Sequence, residues 1–397
     1  MVVAIEERKY SLFIMRIGLV TKEWPPQVYG GAGVHVLQLT SALRKLNGIE
    51  VDVHCFGGKR DDAYGYETPA EFTKSNPALA AMATDLAIAD HLAGLDLVHS
   101  HTWYANFAGF TAQTLHGIPH VLSAHSLEPL RPWKAEQLGG GYAISSWIEK
   151  SAYETADAII AVSDGMRGDV LKCYPNVDPK KVVTIRNGVD VSRFAPNHNP
   201  SVLSKYGISG RYSIFVGRIT RQKGLAHLLR AWKNVPDEYG LVLAAGSPDE
   251  PGIGKEVADL ISDLQSTRKN IWWLKDMLPH EELTAVLTSA DLFICPSIYE
   301  PLGIVNLEAM SCTTAVLASR VGGIPEVVAD GETGKLVDYS EDNNKFEGDL
   351  ANQITDLMSK PDLLIKYGLA GRNRAEREFG WDKVAKETLA LYQKVIK

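Results

Sequence analysis

Short, continuous apolar runs recur along the chain and alternate with longer stretches in which apolar residues follow a helical period. Continuous apolar runs are typical of parallel strands, which are buried on both faces of a sheet. Amphipathic helices are predicted between the runs, at Val34–Leu46, Leu225–Trp232 and Glu281–Ser289, and again at the end, at Trp381–Ile396. The predicted strands are Arg16–Val20, Val51–Phe56, Leu95–Ser100, Pro119–Ala124, Ala158–Val162, Val182–Ile185, Ser213–Val216, Leu241–Ala245, Ile271–Leu274, Leu292–Cys295, Ala315–Ala318 and Lys335–Val337.

Strands that alternate with helices predict an α/β fold with parallel sheets. Because twelve strands are more than one open sheet commonly holds, we predict two doubly wound, Rossmann-like domains facing across a cleft. The linker is predicted at Phe194–Ser204, which has two prolines, two asparagines and no periodicity. The N-terminal domain then covers residues 15–197 and the C-terminal domain residues 205–379, with a helix at 380–397 expected to pack back onto the first domain. Ligands of such sheets bind at the carboxyl ends of the strands, so the cleft is the expected site.

The composition is that of a soluble globular protein, with 45% apolar and 22% charged residues among 397. It excludes disorder, collagen and coiled coil as the main architecture. Lys and Arg total 41 against 48 for Asp and Glu, which gives a net charge of -7. Proteins that hold a nucleic-acid backbone are normally basic, so we expect no nucleic-acid partner. Any anionic ligand must therefore be held by a local site.

Cysteine usage and the absence of long apolar segments indicate a cytoplasmic protein without a membrane partner. The four cysteines are widely spaced and form no CxxC pair, which fits a reducing compartment. The longest apolar run near the start, Tyr10–Val20, is interrupted by polar residues and glycine, and no cleavage site follows it. Residues 1–14 are interpreted as a dispensable extension before Met15.

A glycine-rich loop follows the first predicted strand, with Gly30, Gly31 and Gly33 directly before an amphipathic helix. Small residues there let a ligand approach the backbone N–H groups at the positive end of the helix. The loop is not a GxGxxG motif, because His35 stands where the last glycine would be. An ordinary glycine turn is the alternative interpretation.

Two neighbouring strand ends carry histidines, His99 and His101 on one and His125 on the other. A histidine at a strand end can donate to a sugar hydroxyl or take part in proton transfer. A structural role is the alternative for each, and periodicity does not distinguish His99 from His101. No cysteine or carboxylate stands at ligand spacing nearby, so we expect no metal site.

Two basic residues lie in the loop near the start of the second domain. Arg218 follows a predicted strand, and Lys223 precedes a helix. An arginine fork and a lysine point charge together suit a diphosphate. The alternative is a solvated basic turn, which the flanking Gly217 and Gly224 disfavour.

The strongest candidate site follows the predicted strand that ends at Cys295, where a loop carries Glu300 and a helix begins near Gly303. That helix is almost wholly apolar, so Glu308 on it should be buried and should need a partner. The first amides of the helix can bind phosphate oxygens, a ribose can reach Glu308, and the group beyond the phosphates would face Glu300. The alternative is that Glu308 binds a buried arginine of the same domain.

Five segments, which follow one another along the chain in the order expected for the family, resemble those of the retaining glycosyltransferases of the GT-B architecture. The resemblance is specifically to bacterial glycogen synthases and maltose-1-phosphate synthases of actinobacterial type. The most specific is the Glu-x7-Glu motif formed by Glu300 and Glu308. The others are VYGGAG, RNGVD (Arg186–Asp190), VGRITRQKG and GGIPE (Gly322–Glu326), and the resemblance covers residues 15–397.

The resemblance implies transfer of glucose from a nucleotide donor, ADP-glucose, with retention, in glycogen or α-glucan biosynthesis. It implies that Glu300 holds the donor sugar and Glu308 the ribose, while Arg218 and Lys223 neutralise the leaving diphosphate. It further implies diphosphate contacts with the amides of Gly31, Gly303, Ile304 and Val305. His125 matches a histidine that contacts the transferred sugar.

The acceptor is left open by the resemblance, which allows an α-1,4-glucan end or glucose 1-phosphate. His101 and Thr102 are acceptor-side candidates, although Thr102 stands where glycogen synthases have aspartate. The chain is shorter than the classical glycogen synthases, and its glycine loop has the sequence VYGGAGVH. Both features favour glucose 1-phosphate as the acceptor. Such enzymes are generally metal-independent, so no cofactor is expected. The alternatives are a GT-B enzyme with another acceptor, of the mannosyl or sucrose-phosphate type, and a non-catalytic nucleotide-sugar-binding protein.

Overall fold

The structure is a computed structural model that describes residues 14–28, 30–132 and 134–397. The interpretation of residues 1–14 as an extension thus lies, except for Ile14, outside the described residues. The chain forms two compact units. The first contains the described residues up to Ile160 together with Val170–Val183 and Ala385–Lys397, and the second contains Ala161–Asp169 and Thr184–Val384. The border at Thr184 lies earlier in the chain than the predicted linker.

The first sheet has the strand order β3-β2-β1-β4-β5-β6-β7. Its strands are β1 (Met15–Thr21), β2 (Ile49–Phe56), β3 (Tyr64–Tyr66), β4 (Leu97–His101), β5 (His120–Ala124), β6 (Ala158–Ala161) and β7 (Val182–Thr184). Strand β1 pairs in parallel with both β2 and β4. The chain runs outward from β1 and then returns to the other side of it, so the topological switch point lies between β1 and β4.

The second sheet repeats this winding, with the order β10-β9-β8-β11-β12-β13. Its strands are β8 (Tyr212–Val216), β9 (Gly240–Ala244), β10 (Ile271–Leu274), β11 (Leu292–Cys295), β12 (Ala315–Ser319) and β13 (Gly334–Val337). All of its strand pairs are parallel. The switch point of this sheet lies between β8 and β11. Two parallel, doubly wound sheets confirm the predicted fold class.

The helices that connect the strands present apolar faces to the sheets. In α8 (Leu225–Trp232), for example, Leu225, Leu228, Leu229 and Trp232 follow a helical period and are all buried. The other helices are α1 (Gly31–Leu43), α2 (Pro77–Asp90), α3 (Trp103–His116), α4 (Lys134–Leu138), α5 (Gly141–Thr155), α6 (Asp164–Cys173), α7 (Pro200–Lys205), α9 (Pro251–Thr267), α10 (His280–Thr288), α11 (Ile304–Ser311), α12 (Ile324–Val327), α13 (Asn343–Met358), α14 (Pro361–Glu378) and α15 (Trp381–Ile396). None of the helices in the described ranges is long and apolar enough to cross a membrane.

All twelve predicted strands are present, but the predictions contained neither strand β3 nor helix α7. Strand β3 has only three residues at the edge of its sheet, too few to show a period. Helix α7 begins inside the predicted linker, where Pro200 is the first helical residue and the Asn199 side chain accepts a hydrogen bond from the Ser201 N–H at 3.2 Å. The predicted linker thus ends in a short helix, which its lack of periodicity did not reveal. An Asn-Pro pair is a helix-start signal that could have corrected it.

Candidate functional site

The predicted site residues follow the strands that flank the switch point of each sheet, where open α/β sheets bind ligands. In the second unit, Arg218 follows β8, and Glu300 follows β11. In the first unit, the glycine loop follows β1, and Thr102 follows β4.

Lys223 and Glu300 form an ion pair in the second unit. The Lys223 ammonium donates to Glu300 Oε2 at 2.6 Å, and the Ser297 hydroxyl donates to the same oxygen at 3.2 Å. Only 16% of the lysine side chain and 9% of the glutamate side chain are exposed. Burial alone would lower the pKa of Lys223, but the Glu300 carboxylate outweighs it and raises the pKa above its ordinary value. The lysine is therefore a fixed positive charge.

Gly224 and Gly322 allow the loops of this ion pair to meet. Gly224 has a φ of 66°, and a Cβ there would lie 1.9 Å from the Pro296 carbonyl oxygen. A Cβ on Gly322, which has a φ of 51°, would lie 2.0 Å from the Glu300 carbonyl oxygen. Only glycine permits such close approach in the left-handed region. The two glycines belong to the VGRITRQKG and GGIPE segments, so these segments shape the loop that carries Glu300.

Arg218 is also paired with an acid. Its Nη1 donates to both carboxylate oxygens of Asp249, at 2.7 and 2.9 Å. Asp249 lies in the loop after β9. The acid holds the guanidinium in place at the carboxyl edge of the sheet, and 41% of the arginine side chain stays exposed to a ligand.

Glu308 is a half-buried carboxylate on α11. Among the described residues, none donates a hydrogen bond to the Glu308 carboxylate or forms an ion pair with it, so the arginine partner of the alternative interpretation is not found there. Desolvation by burial raises its pKa to about 7, while the charges of Lys223 and Arg193 act in the opposite direction. A carboxyl group in this state suits hydrogen bonds from a ligand better than a structural role.

The start of α11 offers free backbone donors. Gly303 precedes the helix with a φ of 94°, and no side chain caps it. The N–H groups of Ile304 and Val305 have no acceptor among the described residues. Unsatisfied first-turn amides and the positive end of the helix dipole suit an anion.

In the first unit, His35, His101 and His125 form a cluster. His101 Nδ1 lies 3.0 Å from His125 Nε2, and the ring centroids of His35 and His125 lie 4.6 Å apart. Burial, and then the neighbouring imidazoles, lower the pKa of His101 and of His125 well below the ordinary value. Both rings are therefore neutral near pH 7. The cluster also offers three nitrogens within 4.8 Å of one another, which makes it the set in the described chain that can hold a metal ion.

His99 has a structural role. Its Nδ1 lies 2.6 Å from the Tyr392 hydroxyl, and its Nε2 lies 2.9 Å from the Ser123 hydroxyl. The ring is fully buried, and both of its nitrogens are satisfied. The two alternating histidines of β4 are thus distinguished: His99 fastens α15 to the first sheet, and His101 faces the histidine cluster.

The glycine loop of the first unit is organised by Glu23. Its carboxylate accepts a hydrogen bond from the Gly30 N–H at 2.8 Å, and a Cβ on Gly33 would lie 2.4 Å from the same oxygen. A Cβ on Gly31 would meet nothing within 4 Å. Gly33 is thus needed for packing, whereas Gly31, the first residue of α1, borders open space.

Thr102 has an unusual backbone conformation, with a φ of 66° and a ψ of 163°. This region is almost confined to glycine, and a residue held there stores about 1–3 kcal/mol of strain. Strain of this kind is found at functional sites, which agrees with its position directly after His101.

Two further family segments meet within the second unit. Arg186 of RNGVD donates to Glu326 of GGIPE at 2.7 Å and to Asp164 at 2.6 Å. Their role in the described chain is thus to hold loops together.

The structure places Arg218, Lys223, Glu300 and Glu308 in the second unit, whereas the predicted donor residue Gly31 lies in the first unit with the predicted histidines. Sequence reasoning missed Glu23, Asp249 and Ser297, which support these groups. Only Ser297 and Glu23 stand beside quoted motifs, and nothing local in the sequence marks Asp249 as the partner of Arg218.

Both halves of the chain match known families. Residues 29–193 match the family described as Glycosyltransferase Family 4, and residues 206–374 match Glycosyl transferases group 1. The α-maltose-1-phosphate synthase of Mycolicibacterium smegmatis is 51% identical over 387 residues, which cover 96% of this chain and 100% of the relative. The enzyme of the same name from Mycobacterium tuberculosis is 48% identical with the same coverage.

Solved structures share the fold at low identity. The sucrose-phosphate synthase of Thermosynechococcus elongatus aligns with a TM-score of 0.80 at 23% identity, covering 96% of this chain and 99% of that one. The catalytic domain of starch synthase IV from Arabidopsis thaliana, bound to ADP and acarbose, aligns with a TM-score of 0.75 at 17% identity, covering 96% and 99%. The fold and these matches define a glycosyltransferase of the GT-B class. More narrowly, the chain belongs to the family of the α-maltose-1-phosphate synthases.

Proposed function

We propose that this protein is a retaining glucosyltransferase that transfers glucose from ADP-glucose to glucose 1-phosphate. The observation that carries the proposal is the 51% identity, over the full length of the relative, to an enzyme named for the product α-maltose 1-phosphate. In the reaction, the bond from the anomeric carbon to the β-phosphate oxygen breaks. A bond from that carbon to the 4-hydroxyl oxygen of the acceptor forms, and the products are ADP, maltose 1-phosphate and a proton.

The second unit supplies the groups that the donor needs. Departure of ADP develops negative charge on the diphosphate, which fixed cations and oriented amides stabilise. Arg218, Lys223 and the free amides of Ile304 and Val305 fill this role, and Glu308 receives the ribose hydroxyls. Glu300 holds Lys223 in place and presents its second oxygen to the glucose hydroxyls.

The first unit supplies neutral imidazoles and a strained strand end. Neutral His125 can exchange hydrogen bonds with the hydroxyls of the transferred glucose without adding charge. His101 orients the His125 ring through the hydrogen bond between them. Gly31, which borders open space, leaves room for a phosphate to approach the start of α1.

Product analysis tests the proposal. The pure protein is incubated with ADP-glucose and either glucose 1-phosphate or glycogen, and the products are identified by proton and phosphorus NMR. We expect maltose 1-phosphate and ADP from the first pair. Turnover with glycogen alone would replace the proposed acceptor by a glucan end, and turnover with UDP-glucose alone would replace the donor. Hydrolysis or binding without transfer would overturn the proposal.

We also propose that the protein works in the cytosol and needs no metal. All four cysteines lie in the described chain and carry free thiols, as expected in a reducing compartment. Fractionation of producing cells tests the location, and recovery of the protein outside the cytosolic fraction would contradict it.

A further inference from the structure

The loop after β5 carries His125, and a buried carboxylate, Glu128, follows three residues later. Glu128 Oε1 accepts a hydrogen bond from Arg131 Nη2 at 2.6 Å, and Oε2 accepts one from the Ser145 hydroxyl at 2.8 Å. The carbonyl oxygen of the same residue accepts from the Tyr142 hydroxyl at 2.7 Å. A buried polar residue with this many partners fixes its segment of chain in one conformation.

A second buried carboxyl group, that of Glu149, holds the backbone of Glu128. Glu149 Oε1 accepts from the Glu128 N–H at 2.7 Å and also from the Tyr174 hydroxyl. Burial, and then the charge of Glu128, raise the pKa of Glu149 to about 8. Glu149 is therefore mostly protonated near pH 7, which allows both carboxyl groups to be buried in one cluster.

Three of these contacts come from one face of α5. Tyr142, Ser145 and Glu149 are three and four residues apart, so they lie on the same side of the helix. All three contact Glu128. Ile148 of the same helix belongs to the apolar core of the unit. The loop is thus attached to a helix that is itself packed into the core.

The segment between His125 and Glu128 transmits this attachment to the histidine. Three residues reach at most about 11 Å, and Leu127 within the segment is fully buried. On the other side, β5 ends at Ala124, directly before His125. The histidine is therefore held between a strand and Glu128, and its ring lies in hydrogen-bond contact with His101.

We propose that Glu128 is a positioning residue for glucosyl transfer, because it fixes the loop that holds the His125 imidazole against the transferred glucose. The proposal rests on the proposed function and adds a residue outside the family motifs. Glu128 has no exposed surface, so it acts on the reaction only through the loop.

A double-mutant cycle with His125→Ala tests this proposal. Glu128→Gln keeps the size of the side chain and removes the charge that pairs with Arg131. We expect it to lower kcat for maltose 1-phosphate formation at least about tenfold, since a misplacement of 1 Å can cost about a hundredfold. In the His125→Ala protein the same substitution should change kcat less than about twofold, because the effects of residues that act through one another are not additive.

Glu154→Gln is the matched control. It removes a carboxylate at the other end of α5, where Glu154 pairs with the exposed Lys150 at 2.7 Å. This substitution should leave kcat unchanged in both backgrounds.

Thermal unfolding shows whether Glu128→Gln is folded at the assay temperature. If it is not, Ser145→Ala replaces it in the cycle, since this substitution removes only one hydrogen bond to Glu128. We expect Ser145→Ala to lower kcat at least about threefold in the wild type and to leave it unchanged in His125→Ala.

The outcomes separate the two proposals. If the wild type does not form maltose 1-phosphate, the proposed function fails. If it does, and the substitution lowers kcat by the same factor in both backgrounds or not at all, Glu128 does not act through His125. The assignment of Glu128 is then overturned while the proposed function stands.

Discussion

At the residue scale, the ion pair of Lys223 and Glu300 contributes both to the stability of the fold and to the proposed catalysis. Substitutions can distinguish the two contributions. Removing one partner of a fully buried pair leaves an uncompensated charge and destabilises by about 3–5 kcal/mol. We expect somewhat less here, because 16% of the lysine side chain is exposed. Lys223→Met and Glu300→Gln should each lower the melting temperature and reduce kcat at least about tenfold, equivalent to about 1.4 kcal/mol.

The double variant of this pair should regain stability without regaining activity, because it removes both charges but also both ligand contacts. Calorimetry and steady-state kinetics measure the two effects. The matched control is the exposed pair of Lys345 and Asp349, whose double replacement by Met and Asn should leave the melting temperature nearly unchanged. Recovery of kcat in the Lys223→Met/Glu300→Gln variant would refute a direct role for these side chains.

Glu308 predicts a pH dependence of ADP binding. Its pKa is raised to about 7 in the free protein, so the carboxyl group is protonated below that pH and ionised above it. Only the carboxylate accepts hydrogen bonds from both ribose hydroxyls, so affinity should rise between pH 6 and pH 8. The limit is about tenfold for each pH unit below the pKa.

Calorimetric titration of ADP into the wild type and Glu308→Gln at pH 6, 7 and 8 measures this dependence. The titration of the ADP phosphate itself is common to both proteins and cancels in the ratio of their affinities. That ratio should grow with pH. A ratio that stays constant would mean that Glu308 does not contact the nucleotide in its ionised form.

At the scale of elements, Gly224 joins the loop before α8 to the loop after β11. We expect Gly224→Ala to destabilise the protein by more than the about 1–2 kcal/mol of a left-handed backbone alone, because its Cβ would meet the Pro296 carbonyl oxygen. The loop must shift, which moves Lys223 away from Glu300 and lowers kcat.

Gly331→Ala is the matched control for this substitution. Gly331 has a φ of 79°, and a Cβ there would meet nothing within 4 Å, so only the backbone strain remains. Thermal unfolding and kcat are measured for both variants. Gly331→Ala reports the backbone strain alone, and Gly224→Ala reports the backbone strain together with the steric clash. Equal effects of both substitutions would show that the close approach at Gly224 does not matter.

At the scale of the whole molecule, we predict catalysis without a metal ion. The His35, His101 and His125 cluster is the arrangement in the described chain that most resembles a metal site. A hydrogen bond between His101 Nδ1 and His125 Nε2 already engages two of the nitrogens that would have to bind the metal. Activity should therefore survive incubation with EDTA, and elemental analysis should find well under one equivalent of metal. Loss of activity restored by zinc would contradict the prediction.

Much of the architecture was predictable from local patterns. Continuous apolar runs identify parallel strands, because such strands are buried on both faces, and five motifs in order identify the family. The hydrophobic pattern did not predict β3, because this strand has only three residues. It also did not predict α7, because this helix lies in a polar segment and is marked only by its cap residue Asn199 and by Pro200.

The sequence by itself determined the fold class, because the order of apolar runs depends only on local patterning, and it carried the motifs by which the chain resembles its family. Only the tertiary structure decided which groups are satisfied. It assigned His99 to Tyr392, paired Arg218 with Asp249, and left the Glu308 carboxylate without an ion-pair partner among the described residues. The physical reason is that such pairings join residues far apart in sequence. They follow from the order of strands in each sheet, which local hydrophobic patterns do not encode.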